Sequence, residues 1–529
     1  MLSFFPMVPI GMAVLLYVFP FEKAARAVAV VTQIALLCAS YYLFILCKDG
    51  EIITSVGNFD GFMGIILRAD TLSSVLLMLA SFIFLVAALY SFNDKTGRLF
   101  WFFLFIWQGV VSGIFLSDDI FNVFVLLEIV AVVISVMIMY YRGNRSMYDG
   151  MVYLMVNTVA MQFYLFGAGY IYKLTGTLDF NAAAQIMNSI DKRQLYLPYS
   201  LIMTAVCLKC ALMPLFNWLP KAHGTLSAPS AVSALLSGLH IKTGIYLFIR
   251  FQTLFYEIAI DEFFLIIAII TGIGGFLFAL SQTDIKLILA YSTISQVGMI
   301  IVGLSLGDSY SHTGSVYHII NHALFKTALF LCAGMIHTAY GTRNLAKIRG
   351  VMKKMPVVGA ATLLAVLGIV GAPFFNGSVS KYFIMSGAGR AVSNALIFIN
   401  LGTTITFIKY SAMLFGKPEP TAENIKTDYA KQAAVLIPAV LCFIGGIFGE
   451  QMIHFLFNIN VSVDAAGYFE KIIIFTVSVA AGFAIYKYFV SVSPVFKKIR
   501  VLDMSFRTVC VSMGGFFAAS LLVLYFFSK

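Results

Sequence analysis

Long apolar segments recur along almost the whole chain and are separated by short polar or Gly/Pro-rich breaks. Most of these segments have about 18 or more residues, the length that a helix needs to cross a bilayer. The pattern predicts sixteen helical segments. Their approximate bounds are 2–19, 26–47, 71–92, 99–117, 119–141, 150–173, 199–220, 229–252, 263–282, 285–306, 313–339, 357–390, 392–416, 432–457, 467–490 and 508–528.

The composition places the chain among polytopic membrane proteins. Of its 529 residues, 60% are hydrophobic and only 11% are charged, whereas soluble domains carry about 25% charged residues. A segment that crosses lipid must satisfy its own backbone hydrogen bonds, so these segments are expected to be helices. We therefore predict an all-α polytopic membrane protein with about 14–16 transmembrane helices.

Charged residues in the predicted loops differ in sign between the two sides of the membrane. Five basic residues lie between positions 343 and 354, in a loop that follows an odd-numbered helix, and three acidic residues lie between 257 and 262 on the opposite side. The positive-inside rule then places both termini outside the cytoplasm. The same rule accounts for the excess of 35 basic over 24 acidic residues, so this charge does not indicate nucleic-acid binding.

The sequence offers no motif for a cofactor, a metal or a hydrolytic centre. Cys207 and Cys210 have the C-x-x-C spacing of redox and zinc sites, but no second pair accompanies them and both fall within an apolar segment. Like the other five cysteines, they are expected to be small packing residues. Because no Gly-rich nucleotide loop is present either, we predict that the chain binds no cofactor or metal and acts within the membrane.

Ionisable residues inside the apolar segments are the strongest functional signal. A charged side chain at the bilayer centre costs about 2.5–3.5 kcal/mol on insertion scales and is a functional candidate by default. A lysine removed from water also releases its proton more readily, which suits a proton carrier. The candidates are Glu128, Lys209, His240, Lys242, His318, His322, Lys326 and Lys381.

Three of these residues form a stripe. His318, His322 and Lys326 are spaced four residues apart, so they lie on one helical face, about 6 Å apart along the axis. A single membrane histidine is commonly explained by a hydrogen bond to a neighbouring helix. A stripe of three, together with buried lysines in other helices, favours a path for protons.

Two prolines interrupt segments that also carry a buried lysine. Pro214 follows Lys209, and Pro373 precedes Lys381. Proline breaks a helix, and free backbone groups are tolerated at this depth only beside protein or a water-filled cavity. Transporters use such breaks in pairs that derive from inverted repeats. We therefore predict two inverted five-helix repeats, at 98–252 and 263–416, with broken helices 7 and 12, between N-terminal helices in 1–97 and C-terminal helices in 430–529.

Glu128 is the expected partner of Lys209, because it is the acidic residue placed at mid-membrane depth in the central helices. While the two are paired, Lys209 keeps its proton. When the pair opens, the proton passes to the next group.

Three segments carry a resemblance to a known family. They are "LKCALMPLFNWLPKAHGTLSAPSAVSALLSG", "QTDIKLILAYSTISQVGMI" and "NHALFKTALFLCAG". In this order they resemble the signatures of the antiporter-like subunits shared by respiratory complex I, Mrp-type cation/proton antiporters and membrane-bound energy-converting hydrogenases. The similarity covers roughly residues 65–415.

The resemblance implies a role for most candidate residues. Glu128 matches the glutamate of the fifth helix, Lys209 and Lys242 match the lysines of the seventh and eighth, and Lys381 matches the exit residue of the twelfth. His318, His322 and Lys326 match the two histidines and the lysine of the eleventh helix, whereas His240 has no counterpart with a known role. The implied fold has two inverted repeats, each with a half-channel, joined by a central polar axis.

The resemblance also implies partners and a location. The stretch "SDDIFNVFVLLEIV" is more similar to the Mrp D-type and hydrogenase subunits than to those of complex I, so complex I is the alternative. Further membrane subunits are expected, with a peripheral iron–sulfur arm in the redox-driven complexes, in a prokaryotic cell membrane. The expected ion is H⁺, with Na⁺ as an alternative.

Two functions of other classes remain open. A stand-alone transporter for an organic solute would need a central pocket with aromatic and amide groups, whereas the buried polar groups here are mostly Lys, His and Glu. A structural scaffold would gain nothing from the insertion cost of these groups.

Overall fold

A computed structural model describes residues 1–18, 22–58, 64–94, 96–224, 228–418, 428–502 and 504–527. The described chain is built almost entirely from helices. In chain order the α-helices are α1 Phe4–Val18, α2 Glu22–Leu46, α3 Thr71–Ser91, α4 Arg98–Leu116, α5 Ile120–Ile138, α6 Asn144–Thr175, α7 Phe180–Met187, α8 Lys192–Lys209, α9 Trp218–Gly224, α10 Ser230–Leu235, α11 Ile241–Leu254, α12 Asp261–Ser281, α13 Ile285–Leu304, α14 Ser309–Tyr340, α15 Val351–Lys354, α16 Pro356–Val370, α17 Asn376–Ser386, α18 Arg390–Ser411, α19 Tyr429–Ile447, α20 Gly449–Phe457, α21 Ala465–Ile485, α22 Pro494–Val501 and α23 Phe506–Phe527.

The helices confirm an all-α membrane protein. Among the described residues, thirteen helices are long and apolar enough to cross a bilayer, and α1 and α16 are shorter apolar helices of 15 residues each. A π-helical turn at Leu236–His240 joins α10 to α11 without a gap. Each of the sixteen predicted apolar segments contains helix within the described chain, and those at 199–220, 357–390 and 432–457 are each divided between two α-helices.

Burial differs strongly between helices. The most apolar stretch of α14 is completely buried, whereas only 11% of the corresponding stretch of α21 and 33% of that of α2 are buried. Apolar side chains that protein does not cover are stable next to lipid tails. Polar groups in this stretch of α14 are therefore shielded from lipid by other helices.

Contacts divide the chain into two compact units. The first comprises Met1–Val232, Leu239–Phe263 and Met504–Lys529, and the second comprises Ser233–Gly238 and Phe264–Asp503. The first unit contains a small antiparallel hairpin, in which β1 Ile52–Ser55 pairs with β2 Ile66–Ala69. The C-terminal helix α23 belongs to the first unit, whereas α19 to α22 belong to the second.

Two stretches of the chain share local features. The helices α5 and α13 have 19 and 20 residues and begin at the capping residues Asp119 and Asp284. Each is followed by a helix of 32 residues, α6 or α14, which ends at a left-handed glycine, Gly176 or Gly341. Repeats would share these features, and the two predicted repeats themselves stay a prediction.

Candidate functional site

The first broken helix ends at Lys209, five residues before Pro214. The Ala211 backbone has a positive φ of 54°, and its N–H donates to the Leu208 carbonyl at 2.9 Å, while the N–H of Leu212 donates to the Cys207 carbonyl at 3.0 Å. These two bonds form the Schellman motif that commonly ends helices. The left-handed residue thus ends α8, and the chain reaches Pro214 before α9 begins at Trp218.

Lys209 lies at this break and is almost fully buried, with 2% of its surface exposed. Its Nζ donates a hydrogen bond to Oδ1 of Asn157 on α6 at 2.8 Å, and Asn157 in turn donates to the Tyr153 carbonyl at 2.8 Å. Gly244 of α11 packs directly on the same backbone, since a Cβ there would lie 2.7 Å from the Lys209 carbonyl carbon. The ammonium is therefore held at a close crossing of helices.

Glu128 lies on α5 near Lys209, and their charges interact. Its Oε1 atom is buried and accepts no hydrogen bond from the described residues. The Lys209 ammonium is bonded to Asn157 instead. Lys209 thus has two possible partners. It is hydrogen-bonded to the neutral amide of Asn157, and it interacts electrostatically, without a hydrogen bond, with the carboxylate of Glu128.

His240 and Lys242 lie on both sides of the junction between the π-helical turn and α11, and both are buried. The His240 Nε2 atom is 3.3 Å from the Tyr153 hydroxyl, and its Nδ1 has no hydrogen-bond partner among the described residues. Its ring packs edge-on against Trp107 and Trp218, with centroids 6.2 and 6.3 Å away. Tyr153 and Asn157, one turn apart on α6, therefore link the surroundings of His240 with Lys209.

In the second unit, His318 is bonded at both ring nitrogens. Its Nδ1 is 2.8 Å from the Ser380 hydroxyl and its Nε2 is 3.1 Å from Oε1 of Gln296. Gln296 also donates to the Thr403 hydroxyl at 3.2 Å. The ring thus belongs to a buried polar chain that crosses from α17 through α14 and α13 to α18.

His322 and Lys326 follow on the same helix and are fully buried. The His322 ring packs against Phe325 at 5.4 Å between centroids. The Lys326 Nζ donates to the Leu289 carbonyl at 2.9 Å and to the Ser292 hydroxyl at 2.5 Å, both on α13. It also lies 5.9 Å from the centroid of the Phe407 ring, so its charge is stabilised by dipoles and a ring face.

The second broken helix repeats the backbone pattern of the first. The φ angle of Gly371 is 77°, its N–H donates to Gly368 at 3.1 Å, and the N–H of Ala372 donates to Leu367 at 2.9 Å. Here α16 ends at Val370, three residues before Pro373, and α17 begins at Asn376. The two breaks thus share the same hydrogen-bond spacing.

Lys381 projects from α17 back to this break. Its Nζ donates to the Ile369 carbonyl at 2.6 Å and to Oδ1 of Asn400 on α18 at 2.7 Å. Carbonyls in the last turn of a helix lack partners within that helix, so the lysine satisfies one of the groups that the break leaves free. A cavity of about 60 Å³ adjoins this lysine.

The predicted residues therefore fall into two clusters. One, in the first unit, contains Glu128, Lys209, His240 and Lys242, and the other, in the second unit, contains His318, His322, Lys326 and Lys381. Both consist of groups that bind or release protons, and neutral side chains are hydrogen-bonded to Lys209, His240, His318, Lys326 and Lys381. The described residues contain no group of three or more His, Cys, Asp or Glu side chains that could hold a metal ion.

Sequence reasoning missed the neutral members of these clusters: Tyr153, Asn157, Ser292, Gln296, Ser380 and Asn400. A signal was available for two of them. Tyr153 and Asn157 are residues 10 and 14 of the 32-residue helix α6, and His318 and His322 are residues 10 and 14 of the 32-residue helix α14. Comparing the two helices position by position would have selected them.

An ion-pair network lies at helix ends in the first unit. Arg68 of β2 donates from Nε to Asp118 at 2.7 Å, and Arg250 of α11 pairs with Asp70, the residue that caps α3. Burial raises the pKa of Asp70, but the charge of Arg250 and hydrogen bonds from Ser73 lower it more, so its pKa lies below the ordinary value. These pairs fix the ends of α3 and α11, which positions the helix that carries Lys242.

Comparison with known proteins identifies similar chains. Residues 117–406 match the family described as NADH:quinone oxidoreductase/Mrp antiporter, TM. The D-type subunit of the Na(+)/H(+) antiporter of Alkalihalophilus pseudofirmus is 28% identical over 464 residues, which cover 85% of this chain and 94% of that protein. The N-type subunit of the NADH-quinone oxidoreductase of Desulforudis audaxviator is 31% identical, covering 74% and 83%.

A solved structure has the same fold. A chain of the Mrp complex from a Dietzia species superposes with a TM-score of 0.80, covering 94% of this chain and 99% of that one, at 21% sequence identity. The shared fold therefore extends well beyond the stretch that the family match covers.

Proposed function

Because this chain belongs to the family of membrane subunits shared by NADH:quinone oxidoreductases and Mrp antiporters, we propose that it translocates protons as the antiporter-like subunit of a multisubunit membrane complex. The observation that carries the proposal is the position of Lys209. This buried ammonium lies at a helix break, is bonded to Asn157, and interacts with the charge of Glu128. Such an arrangement can hold a proton in one state and release it in another.

Proton transfer follows from exchange of the partner of Lys209. When the ammonium is paired with Glu128, the carboxylate stabilises the proton. When it is bonded to Asn157 alone, the neutral amide stabilises it less, and the proton can leave through Tyr153 and His240, which lie next to each other. His318, His322, Lys326 and Lys381 form the second part of the proposed path, with Lys381 as the exit residue.

The nature of the side chains favours H⁺ over Na⁺ as the ion that this chain carries. Sodium and other hard cations bind sets of oxygen ligands, mainly carboxylates and carbonyls. The two clusters contain four lysines and one carboxylate, Glu128. Lysine ammonium groups repel a metal cation, whereas each can take up and release a proton. If the complex also exchanges Na⁺, we expect that ion to bind elsewhere.

We also propose that 98–252 and 263–416 are inverted repeats. The support is local: paired helices of 32 residues, the aspartate caps before α5 and α13, and the Schellman motif at both breaks. Each repeat would supply one half-channel. The broken helices would then mark corresponding points in the two halves.

The complex itself is proposed to be Mrp-like or an energy-converting hydrogenase in a prokaryotic cell membrane. The Mrp-like form is supported by the similarity to the D-type Na(+)/H(+) antiporter protein, which this chain covers over 94% of its length. Similarity to a subunit of an NADH-quinone oxidoreductase makes complex I the alternative, and a peripheral iron–sulfur arm is expected in either redox-driven complex. In either case the driving force comes from other subunits or from an existing ion gradient.

Replacement of Lys209 tests the proposed function. Lys209→Ala should abolish proton translocation by the complex reconstituted in proteoliposomes and leave its assembly intact. Lys192→Ala is the matched control, since Lys192 starts the same helix but forms a surface pair with Glu257. Equal transport by both variants would contradict the proposal, and loss of the assembled complex in Lys209→Ala alone would indicate a structural role.

Mass spectrometry of the native complex, purified in mild detergent, identifies the class of the complex. Iron–sulfur subunits in the preparation would indicate a redox-driven pump. Small membrane subunits alone would indicate a gradient-driven antiporter, and a chain that purifies alone would contradict both.

A further inference from the structure

The cavity beside Lys381 is closed on one side by a helix that lies outside the family match. Its walls come from α13, α17, α18 and α21, all within the second unit. Lys381 and Asn400 line one side, and Lys471 and Ser478 of α21 line the other. A volume of about 60 Å³ has room for a few water molecules. The cavity is therefore a place where two lysines of different helices can meet the same water.

Lys381 has a hydrogen available for this cavity. A lysine ammonium carries three N–H donors, and in the described structure two of them are used, by Ile369 and Asn400. The remaining donor lies on a side chain that lines the cavity wall. Proton exchange between Lys381 and cavity water therefore requires no change in its two hydrogen bonds.

Among the described residues, the hydrogen-bond contact of Lys471 is with a weak acceptor. Its Nζ contacts the thioether of Met385 at 3.7 Å, and sulfur is a weak acceptor. The charge of Lys471 also interacts with that of Glu470, which is exposed. A lysine in a membrane helix is costly, and the contact with Met385 of α17 shows that this side chain extends toward α17 and the cavity rather than along α21.

From this geometry we propose that Lys471 relays protons between Lys381 and the aqueous phase. The inference rests on the proposed function and adds one residue to the exit of the proposed proton path. Lys471 first releases a proton to bulk water beside Glu470 and becomes a neutral amine. The Lys381 ammonium then gives one proton to cavity water, which passes one to Lys471. Lys381 is left neutral, Lys471 is protonated again, and the water is unchanged.

Thiol labelling tests whether water and the charge of Lys471 share the cavity. Cysteine is placed at Ser478, which lines the cavity, or at the neighbouring Val477, which is 61% exposed outside it. The background is a variant in which Cys38 and Cys510, the cysteines that are not buried, are serine. With its open mouth the cavity encloses about 670 Å³ of empty space, so in nanodiscs water-soluble methanethiosulfonates should modify Ser478→Cys and leave the lipid-facing Val477→Cys unmodified. An unreactive Ser478→Cys would overturn the proposal.

Comparing the labelling rates of anionic and cationic reagents tests whether the Lys471 ammonium faces the cavity. Positions 471 and 478 are about 10 Å apart along the helix axis, and a unit charge at that distance in water changes the local concentration of a monovalent ion about twofold. Lys471→Met should therefore lower the ratio of anionic to cationic labelling rates at position 478 about fourfold, and Lys471→Arg should preserve that ratio. A ratio that Lys471→Met leaves unchanged would show that the ammonium does not face the cavity.

Transport by Lys471 variants separates a relay from a purely electrostatic or structural role. Arginine keeps the charge but does not release a proton in proteins, whereas histidine releases one readily. A relay predicts at least a tenfold loss of proton translocation in Lys471→Met and Lys471→Arg, with recovery in Lys471→His. Lys487→Met, on the exposed π-helical turn after α21, should transport normally. Wild-type transport by Lys471→Arg would overturn the relay.

Failure of this inference is distinct from failure of the proposed function. If Lys209→Ala and Lys381→Met both transport protons normally, the proposed function is wrong, whatever Lys471 does. If both are inactive while Lys471→Arg is fully active, the function stands and the relay alone is wrong.

Discussion

If Lys209 exchanges partners as proposed, the amide of Asn157 determines how readily the lysine releases its proton, and Asn157→Ala tests this by removing the amide. Asn157 supplies the hydrogen-bond acceptor of the Lys209 ammonium among the described residues. A hydrogen bond to a charged group contributes about 1.5–3 kcal/mol. Without the amide, the lysine shifts toward the Glu128 carboxylate, whose charge already interacts with it. A change of about 2 kcal/mol shifts this balance about thirtyfold.

The expected result is slow turnover in an assembled complex. Lys209 held by the carboxylate releases its proton less often, so the rate of proton uptake into proteoliposomes should fall by a factor between ten and about thirty. Gln162→Ala is the matched control, because Gln162 lies on the same helix and is exposed. The amount of assembled complex, measured by size-exclusion chromatography, should be the same for both variants.

A second variant, Glu128→Gln, tests whether exchange of the partner of Lys209 causes the slow turnover. Glu128→Gln removes the carboxylate that competes for the ammonium, so the further replacement of Asn157 should lower the transport rate much less than it does in the wild type. An equal loss in both backgrounds would refute the exchange of partners, as would an Asn157→Ala rate equal to that of Gln162→Ala.

Three further predictions concern other contacts. Because the pKa of Asp70 is lowered, its carboxylate stabilises the fold above its unfolded pKa of about 3.9, and this contribution is lost as the pH falls further. The thermal stability of Asp70→Asn in detergent should thus lie below that of the wild type at pH 5–7 and approach it below about pH 4; a constant difference would contradict the ion pair with Arg250. Gly244→Ala places a Cβ 2.7 Å from backbone at the end of α8, so it should lower both the melting temperature and transport, whereas the exposed Gly169→Ala, with open space around it, should change neither. Ser292→Ala removes one of the two hydrogen-bond acceptors of Lys326 and should slow proton uptake about tenfold, which a wild-type rate in the same assay would contradict.

The positions of the helices could be predicted because hydropathy alone determines them. Each membrane helix must bury its surface in protein or present it to lipid, and this requirement leaves a continuous apolar run in the sequence. The charged members of the clusters were equally visible, since Glu128 and the buried lysines stand out in apolar surroundings. Uncharged partners such as Asn157 and Gln296 carry no such contrast, because polar amides also occur in membrane helices as simple packing contacts.

The ends of the two broken helices could be predicted less accurately than the positions of the helices. Proline identified both broken helices, yet α8 and α16 end several residues before Pro214 and Pro373. The ends are set by left-handed residues, Ala211 and Gly371. A glycine there is readable from the sequence, whereas an alanine with positive φ is not, since its own preference opposes that conformation. The contact between Lys209 and Asn157 depends on this backbone geometry and could not be read from spacing.

The π-helical turn at Leu236–His240 has a consequence for the angular phase of α11. One residue more in a helical turn rotates everything that follows by about 100° about the helix axis. Deleting a single residue ahead of His240 in this turn would give a regular helix of nearly the same length. It would also rotate His240 away from Trp107 and Trp218 and place Lys242 on a different face of the helix. The number of residues in the turn, and not only their identity, therefore selects which side chains of α11 face the cluster.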